Sequence, residues 1–135
     1  MAAGDIVKEA GLVIEEFTVK ANEDIEKGEI VYNDGNGILA ADNTAKGPFF
    51  VALEDHDYSE AATHKVRCVV QGFVEVQKAS GNAIKKGQFV EVSATAGEVD
   101  IFDYSTPGNW YDVVGVAMED AAATDTTIKI WIGKR

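Results

Sequence analysis

The chain has 135 residues, of which 46% are hydrophobic, and this is the usual size of one domain with a single core. Acidic residues outnumber basic ones by 23 to 12, so the formal net charge is −11 at pH 7. Proteins that bind nucleic acids or anionic membranes attract phosphate groups with lysine and arginine. The charge therefore predicts that neither a nucleic acid nor a membrane is a partner.

The chain starts with a segment, residues 1–12, that precedes the first strand pattern. This segment has no basic region followed by an apolar stretch, so it does not resemble a signal peptide. It carries Ile6, Val7 and Leu12 among charged residues, too few apolar groups for a core of its own. We expect an arm that becomes ordered on a partner through these three residues, followed by a single domain over residues 13–135.

Strand patterns follow along the chain. Apolar residues alternate with polar ones over residues 13–19, 66–76 and 128–132, which is typical of half-buried strands. Two short apolar runs, residues 49–53 and 113–118, favour strands that are buried on both faces. The lone Cys68 lies within the second alternating segment and is predicted to be a small core residue. Because it has no partner for a disulfide, the protein is expected to be made in a reducing cytoplasm.

Turn residues separate these strands at short intervals, and helix is nearly absent. The Asp-Gly and Asn-Gly pairs within residues 33–37 predict a tight hairpin, and residues 95–97 predict a second one. Many short strands joined by regular turns indicate an all-β fold, a single compact β-barrel or sandwich. The predicted core consists of Ile25, Ile30, Val51, Leu53, Val66, Cys68, Val70, Phe89, Val116, Met118, Ile128 and Ile130.

The chain also repeats itself. An Ile-x-Lys-Gly string occurs at residues 25–28 and again at residues 84–87, and a Glu-Asp pair occurs at residues 54–55 and 119–120. Each Glu-Asp pair is followed by a polar stretch and then by an alternating strand. Internal similarity of this kind predicts two related halves, about residues 19–77 and 82–133, within one domain.

The densest group of possible metal ligands follows the first Glu-Asp pair. Asp55, Asp57 and Ser59 have the spacing that starts a calcium loop, but Glu60 and Val66 stand where that loop needs glycine and a bidentate glutamate. We interpret this segment as a solvated turn. The repeated carboxylates fit the end of a strand better than an acid–base pair, because adjacent strand residues point to opposite faces. No catalytic residue, metal ligand or cofactor is predicted, and we expect no enzymatic activity.

An aromatic-rich insertion distinguishes the second half from the first. Residues 102–111 include Phe102, Tyr104, Trp110 and Tyr111 around a Pro-Gly turn. Trp110 and Tyr111 are candidates for an exposed platform that binds a sugar or a protein. The alternative is a loop that packs its aromatic side chains over an open end of the barrel.

Three strings in a fixed order resemble the small phage capsid cement, or head decoration, proteins. They are the Ile-x-Lys-Gly turn, the Val-Ala-x-Glu-Asp strand ends at residues 51–55 and 116–120, and the Gly-x-Val-Glu-Val ending at residues 72–76. The resemblance implies a β-clip or β-tulip-like domain without catalytic residues. It also implies a virion protein that binds the outside of an icosahedral head through the major capsid protein, commonly as a homotrimer, and stabilises the head.

Two other functions remain open at this point. The string Asp-Ile-x-Lys-Gly-Glu-Ile-Val at residues 24–31 is also similar to the opening of β-clip domains of the antifreeze and sialic-acid synthase type. A carbohydrate-binding β module of that kind would use the aromatic insertion as its stacking face. A structural component of a phage tail or baseplate is the third possibility.

Overall fold

The computed structural model describes residues 11–105 and 112–133, and these residues contain no α-helix. They form nine β-strands. The strands are β1 (Val13–Thr18), β2 (Ile30–Asn33), β3 (Ile38–Ala40), β4 (Phe50–Ala52), β5 (Lys65–Gln77), β6 (Phe89–Val92), β7 (Val99–Ile101), β8 (Val113–Ala117) and β9 (Thr127–Ile132). The predicted all-β fold is confirmed.

The strands make one antiparallel sheet in the order β3-β2-β4-β5-β9-β8-β6-β7, with β1 paired to β5 outside this path. The 13-residue strand β5 joins the two parts of the sheet. Its first part pairs with β1 and β4, and residues from Gly72 onward pair with β9. Every strand therefore belongs to one continuous hydrogen-bonded unit.

The two halves of the chain make equivalent backbone contacts. Ile25 bridges to His56 in the first half, and Ile84 bridges to Ala121 in the second, both antiparallel. Val19 forms a parallel bridge to Ile38, as Lys78 does to Val99. The fold thus consists of two related halves, while the boundaries assigned to the arm and to the halves stay predictions.

The core contains two clusters of buried side chains. The larger cluster joins residues of both halves, for example Ile30 and Val51 with Val90 and Ile130. The smaller cluster lies within the first half and includes Cys68, which is fully buried as predicted. Burial, with a smaller contribution from the charge of Glu54, raises the pKa of the Cys68 thiol to about 12.

The predicted core is partly wrong in register. Five of its members are only half-buried. At some positions the adjacent residue of the chain points into the core instead, and at others the face of the sheet is partly exposed to solvent. Val69 and Val90 are buried where Val70 and Phe89 were expected. The buried members are Ile25, Ile30, Val51, Val66, Cys68, Ile128 and Ile130, and the half-buried ones are Leu53, Val70, Phe89, Val116 and Met118.

Candidate functional site

The Asp of each repeated Glu-Asp pair fixes the turn that carries the Ile-x-Lys-Gly string. The backbone N–H of Lys27 donates to Oδ1 of Asp55 at 2.8 Å, and the N–H of Lys86 donates to Oδ1 of Asp120 at 2.9 Å. Both carboxylates thus accept a backbone donor that the turn leaves without a strand partner. The repeated Asp residues therefore hold equivalent turns in the two halves.

The Glu of each pair binds the backbone of the neighbouring strand. Oε1 of Glu54 accepts the N–H of Arg67 at 3.0 Å, and Oε1 of Glu119 accepts the N–H of Lys129 at 2.8 Å. Arg67 also donates from Nε to Glu54 at 2.9 Å, and this side-chain bond is the main reason why the pKa of Glu54 is lowered. An acid catalyst needs a raised pKa, so Glu54 has the wrong electrostatic environment for that role.

The segment with calcium-loop spacing forms a turn instead. Oδ1 of Asp57 accepts hydrogen bonds from the N–H and the hydroxyl of Ser59, at 3.0 and 2.7 Å. The rings of His56 and His64 approach each other with Nε2 and Nδ1 3.2 Å apart, and Tyr58 stacks on His64. In the part of the chain that the structure describes, no group of three or more His, Cys, Asp or Glu side chains is arranged to hold a metal ion.

Four carboxylates surround a polar groove in the second half. Glu91, Asp100, Asp103 and Asp112 line a cavity of about 270 Å³. Burial raises the pKa of Glu91, and the neighbouring Asp112, Asp103 and Asp100 act in the same direction, whereas the hydrogen bond from the Asp103 N–H opposes the rise. The groove brings together four of the 23 acidic side chains of the protein.

Of the residues predicted to form an interface, the structure describes Leu12. It is 51% exposed and starts an apolar edge that continues with Val13 and Ile14, which are 39% and 42% exposed. We call these three residues the β1 edge. The other predicted interface residues, Ile6, Val7, Trp110 and Tyr111, lie outside the described residues.

A second apolar surface, missed in the sequence, crosses four neighbouring strands. Phe73 on β5 pairs with Trp131 on β9, Trp131 pairs with Val116 on β8, and Val116 pairs with Phe89 on β6. We call these four residues the second row; Phe73 is 41% exposed and the others are half-buried. The sequence feature that could have revealed this surface is Trp131, a large aromatic residue on the same face of β9 as the polar residue Lys129.

The described part of the aromatic insertion extends this surface. Phe102 is buried and meets the ring of Phe89 edge-on, with ring centres 6.1 Å apart. Tyr104 remains 57% exposed, although its hydroxyl accepts the backbone N–H of Phe89 at 2.9 Å. Packing thus accounts for Phe102, while Tyr104 adds exposed aromatic area at the end of the second row.

An all-β domain with a repeated scaffold and exposed apolar surfaces has the features of an assembly protein. The family model described as phage cement protein matches residues 8–132, and the chain belongs to this family. It is a structural capsid decoration protein that is associated with the capsid in the virion. The carbohydrate-binding and tail alternatives are not favoured.

A solved structure shows the same fold. The N base of head fiber gp8.5 in bacteriophage phi29 matches 89% of this chain and 94% of its own chain, with a TM-score of 0.56 and 20% sequence identity. No curated protein sequence matches the chain. Within residues 11–105 and 112–133, no helix has the length and hydropathy that a membrane span requires.

Proposed function

We propose that the protein binds the outer surface of an icosahedral phage head, contacts the major capsid protein and stabilises the assembled shell. Membership of the phage cement family, over residues 8–132, is the observation that carries the proposal. The net charge of −11 supports an exterior position, because an acidic protein has no affinity for the phosphate groups of a packaged genome.

The proposed form on the head is a homotrimer at local threefold positions. A trimer that contacts several capsid subunits at once gains avidity without any new type of contact. Its proposed contact residues are Ile6, Val7 and Leu12 in the arm, together with Trp110 and Tyr111. The exposure of Leu12 supports the first group.

We also propose that the protein acts without catalysis. The repeated carboxylates Asp55, Asp120, Glu54 and Glu119 each accept a hydrogen bond from the backbone, which accounts for their presence in structural terms.

Co-sedimentation with purified heads that lack decoration protein tests the proposal. The protein is expected to pellet with heads in a saturable amount and to raise the temperature at which the heads release DNA. Cross-linking on the pelleted heads should join it to the major capsid protein, and its copy number should match the local threefold positions. Protein that stays in the supernatant at saturating concentrations would rule out capsid binding.

A further inference from the structure

The first half of the chain contains a row of residues that is equivalent to the second row. Ile14 pairs with Val69, Val69 pairs with Val51, and Val51 pairs with Ile30, across the strands β1, β5, β4 and β2. We call these four residues the first row. The first row follows the strand order β1-β5-β4-β2 and the second row follows β5-β9-β8-β6, so the two rows cross corresponding strands in the same order.

The two rows differ in what covers them. Val69, Val51 and Ile30 are 2%, 0% and 0% exposed, and they belong to the larger core cluster with side chains of the second half. The chain itself therefore covers three of the four residues of the first row, while Ile14 remains 42% exposed, much like its counterpart Phe73. The second row is apolar as well, yet three of its members are half-buried and Phe73 is 41% exposed.

The surface next to the second row carries positive charge, which is scarce in this chain. Phe73, Met118, Lys86 and Lys129 line an open groove of about 470 Å³. The β1 edge has the complementary composition, since its apolar residues are followed by the exposed Glu15 and Glu16. With 23 acidic and 12 basic residues, a second copy of this chain presents mostly negative charge to such a groove.

We propose that a second copy of this chain covers the second row, with its β1 edge in the groove between Phe73 and Met118. Repeated head to tail from one copy to the next, this contact is heterologous, and it closes into a ring when the rotation between copies permits. It deepens the proposed function, on which it rests in part, because it gives the residues through which a decoration trimer would form.

Mixed cross-linking of single-cysteine variants tests the contact. A mixture of Val13→Cys and Met118→Cys chains is expected to form a disulfide between the two, in concentrated solution or on heads, at least ten times more than either variant alone. The native Cys68 should not interfere, because it is buried and its thiol pKa is about 12. Ala62→Cys, on an exposed loop, replaces Val13→Cys in the control mixture.

A charge variant provides a second measurement. Phe73→Asp should weaken self-association at least tenfold in sedimentation equilibrium, or on heads where association occurs only there. Ala62→Asp adds the same charge elsewhere and should not weaken it. Both variants are compared at a temperature at which each is folded, because Phe73 pairs with Trp131 on β9.

The outcomes separate the interface from the proposed function. Pelleting with heads without the mixed disulfide overturns the interface alone, as does an equal yield from one variant by itself or from the Ala62→Cys control. Failure to pellet overturns the proposed function, and the disulfide yield in concentrated solution then decides the interface. Absence of the mixed disulfide in both settings refutes the contact.

Discussion

At the scale of single residues, the backbone hydrogen bonds to Asp120 and Asp55 predict a stability effect that can be compared between the two halves. Asp120→Ala is expected to lower the free energy of unfolding by about 1 kcal/mol, because the N–H of Lys86 loses its acceptor. Asp120→Asn keeps an acceptor oxygen and should cost less than half as much. Urea unfolding measures both, and the same pair of substitutions at Asp55 is the matched comparison. Equal losses for the Ala and Asn variants would show that the hydrogen bond does not stabilise the turn.

Glu29 predicts a pH-dependent effect. Burial is the main cause that raises its pKa, although its Oε1 accepts the N–H of Glu26 at 2.7 Å. In the second half, Gln88 makes the same bond to the N–H of Lys85 at 2.8 Å without a charge. Glu29→Gln should therefore raise stability at pH 7 by about 0.5 kcal/mol, a value reduced for the solvent that still reaches the side chain.

The sign of the pH dependence follows from the raised pKa. The folded state holds the Glu29 proton more tightly than the unfolded state, so the wild type gains stability as the pH falls through the folded-state pKa. The advantage of Glu29→Gln should thus be largest at neutral pH and disappear as the pH reaches the ordinary carboxyl range. Glu60→Gln, at an exposed position, controls for the change in net charge. A constant advantage across pH 4 to 8, measured by urea unfolding at about one-unit steps, would contradict this explanation.

The Glu-Asp pairs show which part of the candidate site could be predicted from single residues. Their repetition indicated a structural function at the ends of strands, and the hydrogen bonds of Asp55 and Glu54 are consistent with it. The specific donors, Lys27 and Arg67, lie 28 and 13 positions away in the chain. Such pairings depend on which strands become neighbours, and local sequence patterns do not report this.

At the scale of strands, the absence of a side chain at Gly115 allows β8 and β9 to approach closely. A Cβ atom at this position would lie 2.2 Å from the carbonyl oxygen of Trp131, which is backbone and has little room to move. Gly115→Ala is expected to lower the free energy of unfolding by about 2 to 3 kcal/mol or to prevent folding.

The matched control for this substitution is Gly11→Ala. The nearest atom to a Cβ there is the Nε2 of Gln71, at 3.9 Å, and the change should be almost neutral. Urea unfolding of both variants measures the difference. Comparable stability of the two variants would mean that β8 can shift away from β9 without loss.

The positions of the strands could be predicted from the sequence, but which of their faces are covered by other parts of the protein could not. Residues 113–118 were interpreted as buried on both faces, and Val113 and Val114 are indeed buried. Val116 and Met118 are half-buried, because no element of the described chain encloses that face as the second half encloses the first. Periodicity reports which residues share a face, but the element that covers the face is decided by the tertiary fold.

At the scale of the whole molecule, the chain has two similar halves in unequal surroundings. The repeat was visible in the Ile-x-Lys-Gly and Glu-Asp strings, and the sheet reproduces it in equivalent bridges at Ile25 and Ile84. The inequality between the rows was not visible, since Val51 and Val116 have the same residue type and similar neighbours in sequence. Val69, Val51 and Ile30 of the first row are buried, whereas the corresponding residues of the second row are only half-buried, and this difference arises only when the halves pack together.

The arm predicts a separation between stability and assembly. Removing residues 2–10 should change the melting temperature of the free protein by less than about 2 °C, because the two core clusters consist of residues from Val19 onward. The same deletion should reduce retention on heads at least tenfold. Ile6, Val7 and Leu12 would each contribute about 1.5 to 3 kcal/mol on burial, before the cost of ordering the arm is subtracted.

Leu12→Ser in the full-length chain tests one proposed contact residue of this arm and should give an intermediate loss of retention on heads. The stability of the free protein should change little, because Leu12 is 51% exposed there. Heads saturated with each protein and then diluted measure retention directly, while calorimetry of the free proteins measures stability. Equal retention of the truncated and full-length proteins would show that the arm has no part in assembly. A large drop in melting temperature would instead assign it to the fold of the free protein.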